Sequence, residues 1–123
     1  MIILEPASGM AKYQEYIAKL EELHGWLDVD LIHNCFLMGE EVGELFKAIR
    51  RHERYFDQND VPTDGPTKDV HQGNKAQVAE ELVDVFNYLL AIANRLDIDL
   101  EDAFRQKNER NQTRSWSEAK PTH

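Results

Sequence analysis

Apolar residues recur every three or four positions along three stretches of the chain, and that spacing predicts amphipathic helices. The first covers 10–24, where Tyr13, Tyr16, Ile17, Leu20 and Leu23 form one stripe and Gly25 supplies a stop. The second covers 30–54, with Leu31, Cys35, Met38, Val42, Leu45 and Ile49 in register and Asp28 or Asp30 available as a cap. The third covers 75–96, carrying Val78, Leu82, Val85, Phe86, Leu89, Ile92, Ala93 and Leu96 on a face wide enough to predict the most buried helix.

Between Tyr55 and Asn74 the period disappears into turn formers, including Pro62 and Pro66, which predicts a long loop of functional or mobile character. Asp99 is placed to cap a fourth helix from 100 to about 113. Residues 117–123 lack any period and are expected to be mobile. No strand alternation and no internal repeat is visible, so the expected architecture is an all-α bundle of four to five helices forming one domain over 1–123.

Composition narrows the functional classes. The 123 residues are 41% hydrophobic and 30% charged, as in a globular domain. No apolar run approaches a membrane span, and MIILEPASG lacks the basic leader of a secretory signal, so no membrane partner is expected. The single cysteine, Cys35, excludes an internal disulfide and a cysteine-based zinc cluster; it is expected as a buried thiol in a reducing cytoplasm. A net charge of −9 argues against a nucleic-acid polymer as partner, whereas a small polyphosphate remains compatible if divalent cations reverse the local sign.

The candidate chemistry lies in two acidic pairs, Glu41 with Glu44 and Glu81 with Asp84. On a helix, residues three apart share a side. One such pair is most often a wetted surface. Two pairs bordering the apolar stripes change the balance: if those helices pack together, four carboxylates are expected to converge. Like charges about 5 Å apart repel by ~3 kcal/mol at an effective dielectric of 20. Bound cations relieve that crowding, and all-oxygen ligation suits Mg²⁺ or Mn²⁺. A ferritin-like site needs two Glu-x-x-His motifs, and only Glu21 with His24 supplies one.

On the fourth helix Lys107, Asn111 and Arg114 share a side beside Arg110, an arrangement that grips phosphate oxygens or, alternatively, a solvated helix end. Trp26, Phe36 and Tyr88 are candidates for stacking on a base, against an ordinary core role. Asn87 and Asn94 offer amides for sugar or base, against plain surface roles. His33 and His52 read as partly exposed histidines, and Glu40 and Glu80 as surface acids beside the ligands.

The segments EEVGELFKAI, EELVDVFNYLLAIANRLDIDLEDAF and KNERNQTRSW together resemble the MazG-like all-α nucleoside triphosphate pyrophosphohydrolases over residues 36–116. The resemblance implies Mg²⁺ held by Glu41, Glu44, Glu81 and Asp84, and a triphosphate contacted by Lys107, Asn111 and Arg114. It also implies Tyr88 beside the nucleotide and, as in the related dCTP pyrophosphatases, Trp26 against the base. The implied reaction is (d)NTP + H₂O → (d)NMP + PPi, serving pool sanitation or recycling, in a homodimer or homotetramer. The gap between the acidic pairs is longer than the family's, and Arg51 stands where the dCTP enzymes carry a second tryptophan. Narrower alternatives are a dUTPase-like or a phosphoribosyl-ATP pyrophosphohydrolase. A non-catalytic helical interaction module is the alternative outside enzymes.

Overall fold

The computed structural model describes residues 1–53 and 67–114, with side chains from 74 onward in the second segment. The expected loop residues 55–66 and the tail at 117–123 lie outside the described residues. Four α-helices account for the fold: α1 (Met10–His24), α2 (Leu31–Glu53), α3 (Thr67–Arg95) and α4 (Leu100–Thr113). A short 3-10 turn, Trp26–Asp28, separates α1 from α2. Among the described residues there is no strand, and no helix is long and apolar enough to cross a membrane.

The helix ends follow from local chemistry. Gly25 closes α1 at φ 72°, a left-handed conformation that costs glycine nothing. Asp30 caps α2 by accepting from the His33 N–H at 2.7 Å, and Asp99 caps α4 by accepting from the Asp102 N–H at 3.1 Å. The third helix begins at Thr67, eight residues before the expected start. Val70 is the one large apolar residue between 67 and 75, so no stripe announces this first part of α3.

Helices α2 and α3 form the main packing unit and run antiparallel. Three contacts fix that direction: Arg95 reaches the Val29 carbonyl, Glu41 meets Asp84, and Asn74 Nδ2 donates to the Arg51 carbonyl at 2.9 Å. α1 lies across α3, burying Ile17 against Leu90 and Ala91, with Tyr13 and Phe86 in a tilted ring pair 6.4 Å apart. Gln14 ties this corner together. Its amide donates to Asn94 Oδ1 and the Ile98 carbonyl and accepts from Leu100 N–H, while Asn94 Nδ2 returns a bond to the Gln14 carbonyl. Asn94 is therefore a structural amide. α4 packs on α1.

Three expectations about burial on α1 and α2 are corrected. Leu23 is 68% exposed, Cys35 is exposed, and Ile49 is 41% exposed. The inward face of α2 instead runs Asn34, Leu37, Glu41, Leu45, Ala48, a stripe broken by two polar residues and thus invisible to a search for apolar spacing. On α3, Leu90, Ala91 and Ala93 are buried, while Leu82 and Leu89, and Leu96 just beyond the helix end, are exposed seven residues apart. That wide apolar face serves two purposes: one side fills the core of the chain and the other is left outward.

Candidate metal centre and adjoining cavity

The antiparallel register of α2 and α3 brings one acid from the first helix against two from the second. Carboxylate oxygens of Glu41, Glu81 and Asp84 all lie within 4.8 Å of one another. Glu81 is buried, at 9% exposure; its Oε1 accepts from Gln77 Nε2 at 2.8 Å, and its enclosed Oε2 has no partner. An orphaned carboxylate oxygen in protein interior is costly unless something positive faces it. Burial raises the affinity of Glu41 for a proton, and Asp84, Glu81 and Glu44 add repulsion in the same direction. The phenol of Tyr88 is likewise pushed up, by burial first and then by Glu41, Asp84 and Glu40.

The fourth expected ligand, Glu44, stands outside this close trio. It is exposed one turn beyond Glu41, near enough for its charge to act on that residue. The donor set is all oxygen, crowded and short of cations. It fits a hard divalent ion such as Mg²⁺ or Mn²⁺, with Glu41, Glu81 and Asp84 inside and Glu44 at the rim.

A cavity of about 510 Å³ opens beside the acids, between α1, α2 and α3. Glu41 and Asp84 form one end, Trp26 and Val29 the other, and Ile17, Leu20, Leu37 and Ala91 the apolar walls. Of the residues singled out in the sequence, Trp26, Asn87, Tyr88 and His33 line it. Phe36 does not; it is 71% exposed on the outer side of α2. Lys107, Asn111 and Arg114 do not line it either, because α4 packs on α1 and the cavity takes no wall from α4.

The aromatic end is held by a polar clamp. Arg95, at the end of α3, donates to the Val29 and Trp26 carbonyls and to Glu21 Oε2, the last at 3.3 Å. His24 stacks on the Trp26 ring, centroids 4.4 Å apart. Glu21 is thus buried as the partner of Arg95, so the Glu21–His24 pair has no free ligand set to offer a metal.

Residues 35–117 match the family described as the MazG nucleotide pyrophosphohydrolase domain. The chain belongs to that family. Neither the curated proteins nor the solved structures include a match. The MazG match begins at Cys35, within the second turn of α2, and runs past the end of α4, so it takes in both acidic pairs and the α4 cations but not His33 or Asn34. Trp26 and the turn that carries it precede it. Two features of the cavity escaped the sequence reading: Asn34 on its wall, and the Arg95–Glu21 clamp. Asn34 carries no motif signal. The clamp joins residues 74 apart, and local spacing does not reveal such a pair.

Proposed function

We propose that the protein is a Mg²⁺-dependent nucleoside triphosphate pyrophosphohydrolase that converts (d)NTP and water to (d)NMP and pyrophosphate. The observation that carries this reading is the meeting of Glu41, Glu81 and Asp84, the first and last of which form one end of a cavity of nucleoside size with an aromatic at its far end. The substrate lies with its base between Trp26 and the apolar walls and its phosphates toward the acids. Tyr88 flanks the sugar, and Asn87 offers an amide to sugar or base.

Glu41, Glu81 and Asp84, with Glu44 at the rim, would hold divalent cations, which when bound would supply positive charge to the phosphate oxygens and lower the pKa of an attacking water. The protein's own residues do the rest. The acids fix the direction of approach to the α-phosphorus, and one carboxylate accepts the proton that the water loses. A P–O bond forms to the water oxygen, the bond to the bridging oxygen breaks, and its electron pair leaves with pyrophosphate. The apolar walls keep bulk water from the base end.

The working form is a homo-oligomer. On α2, Ile32, Phe36, Gly39, Gly43 and Phe46 follow one another at four, three, four and three, all exposed. Added Cβ atoms at both glycines would meet nothing, although helix-interior glycine costs about 1 kcal/mol. Apolar residues beside an open, flat patch are what a second copy of the chain needs for close helix approach. That copy's α4 brings Lys107, Asn111 and Arg114 to the triphosphate, which one chain alone does not do. Hydrolysis of a panel of NTPs and dNTPs with Mg²⁺, scored for monophosphate and pyrophosphate, tests the reading.

A further inference from the structure

Within the cavity one group is used neither by the fold nor by the acids. Asn34 is 5% exposed, lines the cavity, and keeps its enclosed Nδ2 without any hydrogen-bond partner. Its backbone N–H is already paired with the Asp30 carbonyl, so the helix asks nothing of the side chain. Buried amide donors in folded proteins are paired in the great majority of cases, and an orphan needs a reason. Here the surroundings supply one. Leu20, Leu37 and Ala91 enclose the same space, and a leucine at position 34 would complete an apolar wall. The amide also sits seven residues before Glu41 on the same helix face, about 10 Å along the axis. That places it a nucleoside's length from the metal end, at the depth of the base.

Resting on the pyrophosphohydrolase reading, we propose that Asn34 is a specificity-determining residue that donates from Nδ2 to the C4 carbonyl on the edge of the bound base. Keto bases such as uracil are then preferred over amino counterparts such as cytosine, whose amino group would meet a donor with a donor. A site built around a buried donor rejects ligands that leave it unpaired.

The test is calorimetric binding of the α,β-imido analogues of dUTP and dCTP, with Mg²⁺, to the wild type, Asn34→Leu and Asn34→Asp. The wild type binds the uracil analogue about tenfold tighter. Asn34→Leu binds both alike, and Asn34→Asp, which only accepts, favours cytosine. The melting temperature of ligand-free Asn34→Leu stays level or rises, whereas a structural amide would lower it. Unchanged selectivity in Asn34→Leu, or a wild type without the uracil preference, overturns the assignment. Pyrophosphate release measured in parallel separates the two ideas. Release with equal affinity for both bases removes Asn34 alone, and no release with no binding removes the hydrolase reading with it.

Discussion

Glu41 on α2 faces Asp84 on α3 across the antiparallel pair, and burial, reinforced by that opposition, makes the Glu41 carboxyl hold its proton more tightly than an ordinary glutamate. The sign of the stability effect follows. A carboxyl whose folded pKa is raised binds more protons when folded than when unfolded. Its contribution is therefore fully present below the ordinary glutamate pKa of about 4.3 and is lost as pH rises through the folded value.

In buffer stripped of divalent cations, Glu41→Gln melts a few degrees above the wild type at pH 7.5 or so, and the difference shrinks toward pH 4. Thermal scans across that range measure it. A variant less stable than the wild type at neutral pH would mean that Glu41 is held by unseen partners rather than strained by its neighbours.

Mg²⁺ or Mn²⁺ stabilises the wild type by mass action, by about 2.7 kcal/mol at a hundredfold excess over Kd. Glu81→Gln keeps the shape of the side chain and removes one charge; most of that stabilisation disappears with it. Calorimetric titration with the metal alone reads the effect without substrate.

Arg95→Met removes donors from the Trp26 and Val29 carbonyls and strands Glu21, which is 9% exposed, without its partner. Breaking a buried pair in this way costs about 3 kcal/mol. Adding Glu21→Gln to Arg95→Met recovers part of the loss, and denaturant unfolding of the four proteins in the cycle gives the coupling.

Phe36→Asp places a charge in the exposed α2 stripe and dissociates the oligomer in sedimentation or light scattering. Mixing Glu41→Gln with Lys107→Ala tests whether a second copy completes the site. If it does, two inactive proteins regain roughly a quarter of wild-type turnover, because half the dimers are mixed and each mixed dimer has one intact site.

Much of this was legible in the sequence. Strong 3.6-residue periods located α1 and α2 to within a residue, helped by Gly25 and Asp30, and the cap at Asp99 located α4 equally closely. The spacing of the acids put Glu81 and Asp84 on one side of α3, where they meet Glu41, whereas Glu44 stands exposed outside that trio. What stayed hidden depends on tertiary choice. The first part of α3 carries almost no apolar residue, so nothing distinguished it from loop. The buried stripe of α2 contains Asn34 and Glu41, and polarity disguised it; the conspicuous apolar residues Ile32, Phe36 and Phe46 lie outside. Cys35 is exposed because the helix turns that different face inward. The Arg95–Glu21 pairing spans 74 residues and is set only when α1 docks on α3.

Direct assay of the acids reaches the centre of the account. Purified wild type and the isosteric variants Glu41→Gln and Asp84→Asn are incubated with Mg²⁺ and each triphosphate, and pyrophosphate is quantified. The account predicts monophosphate and pyrophosphate in equal amounts from the wild type, none after chelation, and at least about a hundredfold lower turnover in both variants. Full turnover in the two variants, or orthophosphate as the first product, would contradict it.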